Sequence, residues 1–350
     1  MTINHQDPPV TVGMPVYNGE RYVRRAIESI LSQTFQDFEL VISDNASTDT
    51  TQRICTEYAS KDRRVRYYRS DRNRGAAWNH NRVVELARGE FFKWQCHDDY
   101  CDSTFLEKCL SVVQNNPSIV LCYPQFVRVD ERGKRLGIKS STVQGDSEPC
   151  GRFRSLIYRR DSCEEIYGLA RTAVMRKTAL IGPYSNSDDA FLAELILHGQ
   201  FYQIHEPLFF YRIHPAQSTS LYPNRSTRMA WFEPSAARRL SLPFLRLFAG
   251  YILLIWRSPI SWRVKLRCYS CLAGWFWYFR HWFTEDVRAV GSFQTQRFVP
   301  WFKDHVPWTA PVWHWLRNAK KQLRRRESAI ARARRLRREE LERWELKPED

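Results

Sequence analysis

Long apolar runs are missing from this sequence. The longest, Leu240 to Trp256, is broken by Arg246 and falls short of the roughly 20 residues that span a bilayer, so a transmembrane helix is not expected. The opening residues, MTINHQDPPVTV, have no basic start followed by an apolar stretch, and no secretory signal is expected. A paired-cysteine framework is missing as well. The nine cysteines are odd in number and scattered, and Cys55, Cys109 and Cys122 lie in apolar surroundings, as reduced core cysteines do. Cys268-x-x-Cys271 has no second pair to complete a zinc site, and on a helix it only sets two small apolar groups on one face. No G-x-G-x-x-G follows the first strand-like stretch, which removes the dinucleotide fingerprint. No G-x-x-x-x-G-K-[ST] occurs, which removes P-loop chemistry, and without a G-x-S-x-G elbow the ordinary hydrolase reading goes too.

What is present suits a packed protein. Hydrophobic residues make up 43% of the 350 and charged residues 26%, enough to bury a core. The net charge of +16 is uneven: residues 1–220 hold about 28 basic and 27 acidic side chains, residues 221–350 about 26 and 11. Of the 13 Trp, only Trp78 and Trp94 precede residue 221. A near-neutral part is joined to a basic, Trp-rich part, and the two have different tasks.

The first part alternates strand and helix. Val10–Met14, Phe38–Ile42, Val65–Tyr68, Phe91–Gln95 and Ile119–Tyr123 read as strands. Helical periods fall at Glu20–Gln33, Thr50–Ala59, Ala77–Ala87 and Thr104–Gln114. This order predicts an α/β fold with a doubly wound, mainly parallel sheet. It sets the loops after Met14, Ile42 and Gln95 on one edge, where such sheets bind ligands.

One of those loops is Cys96-His97-Asp98-Asp99. Adjacent carboxylates repel and are best tolerated around a cation, and oxygen ligands suit Mg²⁺ or Mn²⁺. The plainer alternative is a turn that ends the strand and caps the next helix. Asp44, in the loop after the second strand, has the chemistry to accept from the imide N–H of uracil or from a ribose hydroxyl. With the Asp pair it makes a nucleoside-diphosphate site without a P-loop, which points to nucleotide-sugars.

The stretches VGMPVYNGERYVRRAIESILSQTF, VISDNASTDTT and NRGAAWNHNRVVELARGEFFKWQCHDD resemble the family-2 glycosyltransferases of the GT-A fold, over roughly residues 9–220. The resemblance implies an inverting transferase that uses a nucleotide-sugar donor and a divalent cation, Mn²⁺ or Mg²⁺. It assigns Pro15, Tyr17, Asn18 and Glu20 to the first nucleotide-side motif. Asp44, Asn45, Ser47 and Asp49 fall on the second, with Asp44 at the base, and Asn73, Arg74, Gly75 and Asn81 on the third. Asp98 is assigned to the ribose and Asp99 to the metal. Many members carry an Asp where this chain has Cys96, so the metal site here has one carboxylate fewer.

An inverting transfer needs a general base for the acceptor hydroxyl. Asp188-Asp189 opens a helical stretch that Gly199 ends, and acidic residues there are favoured by the helix dipole alone. The family's base motif falls on this pair, with Asp189 preferred and Asp188 the alternative. Arg212-Ile-His214-Pro-Ala-Gln217-Ser218 resembles the family's closing loop, with Arg212 as a phosphate clamp and His214 as a second metal ligand. An ordinary hydrogen-bonded His is an even alternative at 214.

After Trp231 the family motifs stop. Three divisions are expected: a catalytic domain at 1–225, a helical aromatic region at 226–318 and a charged helical tail at 319–350. The middle region is either a helical appendage packed on the catalytic domain or an interfacial membrane attachment, and the membrane reading is put ahead. The acceptor is expected to be a glycan or a lipid-linked hydroxyl in cell-surface polysaccharide or glycolipid synthesis. The protein is expected in the cytoplasm, or peripheral on the inner face of the membrane. Other readings are a nucleotide-sugar-binding protein that has lost catalysis, or nucleic-acid binding through the basic tail. With residues 1–220 near neutral, no nucleic-acid partner is expected.

Overall fold

The computed structural model describes residues 7–139, 146–159, 163–222, 225–233, 242–284 and 286–287. In chain order the first part runs β1 (Val10–Val16), α1 (Val23–Leu31), β2 (Phe38–Asp44), α2 (Thr51–Lys61), β3 (Val65–Arg69), α3 (Ala76–Leu86) and β4 (Phe91–Trp94). Next come β5 (Tyr100–Cys101), α4 (Phe105–Asn115), β6 (Ile119–Val129), β7 (Arg135–Lys139) and α5 (Pro149–Ile157). A 3₁₀ turn (Glu164–Tyr167), β8 (Leu169–Arg171) and α6 (Thr172–Met175) follow. The chain continues through α7 (Ser187–His198), β9 (Gln200–Arg212), α8 (Ser218–Leu221), α9 (Arg225–Phe232), α10 (Pro243–Arg257) and α11 (Trp262–Tyr278).

The nine strands form one sheet, ordered β3-β2-β1-β4-β8-β6-β9-β5, with β7 paired to β6. The four strands β3, β2, β1 and β4 are parallel, as the alternating pattern predicts, and β6 and β9 are parallel to each other. β8, between β4 and β6, is antiparallel to both. β1 and β2 are buried along their whole length, which is why they read as continuous apolar runs rather than alternating ones. The fifth predicted strand continues past Tyr123 to Val129, because β9 pairs with it over that distance.

The polar groups at the amino edge of the sheet are paired. Thr11 Oγ1 donates to Glu39 Oε1 at 2.7 Å, and Arg66 Nη1 and Arg88 Nε donate to Glu39 Oε2 at 2.6 and 2.9 Å. Burial alone would raise the Glu39 carboxyl, but these donors overcome it and hold the group below its usual range.

α10 buries Phe244, Leu247, Tyr251, Leu254 and Ile255, a helical stripe that packs on α7. α11 buries Cys268, Leu272 and Trp275 and packs on α5. Trp275 Nε1 donates to the Ile157 carbonyl at 2.8 Å, and its ring stacks on Phe244 at 5.3 Å. One compact unit therefore runs to Val287, and the boundary drawn at 225 falls inside it. Among the described residues no helix is long and apolar enough to cross a membrane. The charged tail at 319–350 and the end of the aromatic region lie outside the described residues.

Candidate active site

The carboxyl ends of β1, β2, β4 and β9 meet at one edge, and the loops that follow them are tied together. Asn18 Oδ1 accepts from the Thr48 N–H at 2.9 Å, and the Asn18 N–H donates to Ser47 Oγ at 2.9 Å. Glu20 Oε2 accepts from the Thr50 N–H at 3.1 Å, while Asp49 Oδ2 accepts from the Glu20 N–H at 3.1 Å. The third loop joins through Asn45. Its Oδ1 accepts from the Arg74 N–H at 2.9 Å, and its Nδ2 donates to Asn73 Oδ1 at 2.9 Å and to the Gly75 carbonyl at 3.2 Å. Gly75, at φ +89°, makes the turn into α3 that a side chain would oppose. Ala46, without that freedom, holds φ +62°, so the second loop stores backbone strain.

The structure brings Pro15, Tyr17, Asn18, Glu20, Asp44, Asn45, Ser47, Asn73 and Arg74 into one group of adjoining loops. Their work differs. Pro15 is a buried strand residue and Tyr17 is exposed. Arg74 lies over the Trp78 ring at 5.0 Å and donates to Asp71 at 2.9 Å. Asp44 is fully covered and accepts from the Ser47 N–H at 2.8 Å, the Tyr67 hydroxyl at 2.7 Å and Arg69 Nη1 at 2.7 Å. A carboxylate accepts about four such bonds, so roughly one place is left. Tyr67 and Arg69 carry no motif signature and are missed by sequence reasoning. Asn81 lies apart from these loops, exchanging hydrogen bonds with the Ile181 backbone at 2.9 and 3.0 Å.

After β4 the chain places Cys96, Asp98 and Asp99 so that one sulfur and two carboxylate oxygens lie within 4.8 Å of one another. His214 closes on this group from the end of β9, its Nε2 3.0 Å from Asp98 Oδ2. The ring is buried, and its Nδ1 has no partner. Burial would raise the Asp98 carboxyl, but His97 and His214 hold it below its ordinary value. Burial and the Asp98 charge push Asp99 well up. His97 rests against Gly19, where a Cβ would sit 2.6 Å from the ring, so the first loop and the acidic loop are in contact.

Arg212, assigned as a phosphate clamp, lies beneath the acidic loop. Only 2% exposed, it spends its guanidinium on backbone carbonyls: Nε on Asp98 at 3.0 Å, Nη1 on Asp130 at 3.1 Å and on Glu131 at 2.9 Å. Its own N–H donates to Asp99 Oδ1 at 2.8 Å. Through these bonds Arg212 braces the acidic loop.

Asp188 and Asp189 open α7, as the helical period predicts. Asp188 Oδ2 accepts from the Cys163 thiol at 2.9 Å, and burial and the neighbouring Asp189 raise its carboxyl. Asp189 Oδ2 accepts from Asn186 Nδ2 at 3.0 Å, and Oδ1 is 3.1 Å from Arg159 Nη2. The other Arg159 nitrogen donates to Glu165 Oε2 at 2.6 Å. Burial would lower the Arg159 guanidinium, but Glu165 and Asp189 more than offset it and keep it charged.

The 3₁₀ turn links these groups. Glu165 at its centre holds Arg159, and through it Asp189, while the Tyr167 side chain lies near Cys96. Arg159, Cys163, Glu165 and Tyr167 all escape sequence reasoning, since nothing in their spacing marks them.

A strand-edge cluster of carboxylates, a thiol and an imidazole lies beside strained loops and a helix opening on two carboxylates, on a curled, mainly parallel sheet of the GT-A kind. The glycosyl transferase family 2 model matches residues 11–181, and the chain carries a family-2 glycosyltransferase domain. A glycosyltransferase of Methanocaldococcus jannaschii, itself uncharacterised, is 34% identical over 131 residues, 37% of this chain and 45% of that one. The putative glycosyltransferase EpsH of Bacillus subtilis is 26% identical over 241 residues, covering 66% and 69%. Chondroitin synthase of Escherichia coli is 34% identical over 126 residues, 36% of this chain and 18% of that protein. This chain thus spans only part of each of these relatives. Residues 1–349 of S. aureus TarS, solved with UDP-GlcNAc, share the fold at TM-score 0.57 and 18% identity, over 82% of this chain and 80% of that one.

Proposed function

We propose that the protein is an inverting glycosyltransferase that moves a sugar from a UDP-sugar to a hydroxyl of a glycan or lipid-linked acceptor, in cell-surface polysaccharide or glycolipid synthesis. The observation that carries this is the pairing of two acidic groups: Cys96, Asp98 and Asp99 with ligand atoms within 4.8 Å of one another after β4, and Asp189 held by Arg159 at the start of α7. TarS, which shares the fold, was solved with UDP and with UDP-GlcNAc, and this supports a UDP-linked donor.

Asp189 is the base. Its side chain is 23% open, and Arg159 holds and orients it at 3.1 Å. Asp188, hydrogen-bonded to a thiol and pushed towards its neutral form, supports the helix start. Asp44 reads the base with its remaining acceptor place once Arg69 swings aside. The Arg74 guanidinium, on the exposed rim, meets the nucleotide.

The cluster fits a divalent cation. Its donors are two carboxylates and a thiol, His214 adds an imidazole bonded to Asp98 through Nε2, and Nδ1 of that buried ring has no partner. Asp98, Asp99 and His214 would hold Mn²⁺ or Mg²⁺. At position 96 the thiol is a softer donor than the carboxylate that many family members carry there. The cation would neutralise the leaving diphosphate. The test is a panel of nucleotide-sugars, with and without Mn²⁺, scored by thermal stabilisation and then turnover. UDP-sugars are expected to stabilise the protein and GDP-sugars to leave it unchanged. Absence of any nucleotide effect would overturn the proposal.

A further inference from the structure

Between Glu233 and Glu285 the chain has 51 residues without one Asp or Glu, where its overall composition would supply about five. The described part of this stretch is the α10–α11 hairpin, which carries Arg246, Arg257, Arg263, Lys265, Arg267 and Arg280. A solvated helix pair ordinarily mixes both signs.

Its outward residues are also unusually apolar. Trp256 is 59% exposed, Trp262 56%, Leu253 56%, Leu266 51% and Trp277 69%. Trp256 and Trp262 flank the turn between the helices, with rings edge to face at 5.9 Å. Lys265 donates to the Trp256 carbonyl and lies over its ring at 5.8 Å, so apolar and basic groups share one surface. The opposite stripe, from Phe244 to Ile255 and from Cys268 to Trp275, is core, so this surface is rigidly fixed.

We infer that the outer face of the α10–α11 hairpin docks the protein on an anionic lipid surface, with Trp256 and Trp262 entering the headgroup layer. Indole rings favour that layer, having an apolar body and a polar N–H. Basic side chains beside them meet lipid phosphate, each worth roughly fivefold in affinity at an anionic surface. A protein partner fits less well, since the centres of protein interfaces are poor in charge and in Lys.

The inner face gives the docking a purpose. α10 packs on α7, whose first turn carries Asp188 and Asp189, and Arg257 Nη2 lies 3.7 Å from Glu194 Oε1 of α7. Docking the hairpin fixes the helix that bears the base relative to the bilayer, as transfer to a lipid-linked hydroxyl requires. For the acceptor this rests on the function proposed above; for the surface it rests on the hairpin alone.

The full chain is sedimented with phosphatidylcholine vesicles, with and without phosphatidylglycerol, and UDP binding is measured alongside. The wild type is expected to bind the anionic vesicles and to lose binding as salt rises. Trp256→Ala with Trp262→Ala should lower vesicle affinity tenfold or more and leave UDP binding intact, both side chains being exposed. Arg263→Glu with Arg280→Glu should act alike while leaving Trp256 and Trp262 in place. Both variants keep the basic tail, so binding through the tail alone would leave them at wild-type affinity and overturn the inference. Equal binding to neutral and anionic vesicles would overturn it as well, as would a hairpin variant that loses self-association or nucleic-acid binding with vesicle binding unchanged. Loss of UDP binding in the wild type would instead count against the transferase reading.

Discussion

Arg159 holds Asp189 at 3.1 Å with one guanidinium nitrogen and Glu165 at 2.6 Å with the other, in a pocket where the arginine is 4% exposed. One buried cation thus serves two carboxylates, and one of them is the proposed base. Neutralising Asp189 to Asn should lower kcat by about 10²–10⁴-fold and leave UDP affinity unchanged. Arg159→Ala should do more harm to the fold, since it removes the buried cation that two carboxylates share. A loss of about 3–5 kcal/mol in unfolding free energy is expected, read by chemical denaturation. Wild-type turnover in Asp189→Asn would remove Asp189 from the mechanism.

The cation cluster makes a prediction that does not depend on turnover. Calorimetric titration of Mn²⁺ in the presence of UDP should show affinity falling at least about tenfold in Asp98→Asn and in His214→Ala. Cys96→Asp, which restores the carboxylate common in the family, should favour Mg²⁺ relative to Mn²⁺. An unchanged preference would show that residue 96 stays outside the ligand set.

Stability should fall in acid through Glu39. Its folded-state pKa is depressed because Thr11, Arg66 and Arg88 outweigh burial. The stabilisation is therefore complete above the unfolded value of about 4.3 and is lost as pH drops below it towards the folded value. Urea denaturation between neutral pH and acid should show this loss, and Glu39→Gln should flatten that part of the profile. An equally steep profile in the variant would assign the acid sensitivity elsewhere.

Asn45 is the knot between two loops. Asn45→Ala removes three hydrogen bonds and leaves the buried Gly75 carbonyl short of its side-chain partner. A destabilisation of about 1–3 kcal/mol is expected, with weaker UDP binding although Asn45 itself is buried. Unaltered UDP affinity in a destabilised variant would limit Asn45 to the fold.

Two tryptophans of the hairpin should separate in the same way. Trp275→Ala should cost about 3–5 kcal/mol, because the ring is stacked on Phe244 and its N–H is bonded to Ile157. Trp256→Ala should leave the melting temperature where it is. The sequence counts both simply as Trp in a basic stretch. The appendage reading of that stretch describes the inner face of these two helices, and the inference drawn above concerns the outer one.

Legibility followed locality. β1, β2 and β4 could be read because each is a short apolar run bounded by turn residues, and α7 because its period begins at Asp188 and stops at Gly199. The upper half of β6 could not, since Gln125–Val129 becomes strand only where β9 lies beside it. Arg212 reads as a phosphate ligand by its place before His214, and its bonds to three backbone carbonyls could not be read there. Which partners a guanidinium finds depends on which loops fold over it.

The sequence by itself determined the alternation of strand and helix, the parallel order of the first four strands and the identity of the acidic loops, because these follow from local periodicity, turn chemistry and motif spacing. Tertiary structure decided which groups share a site. Cys96, Tyr167, Glu165, Arg159 and Asp189 are scattered over more than ninety residues, and only the insertion of β8 beside β4 carries the 3₁₀ turn before it to the sheet edge. No local rule encodes that neighbourhood, since it depends on long-range packing of the sheet.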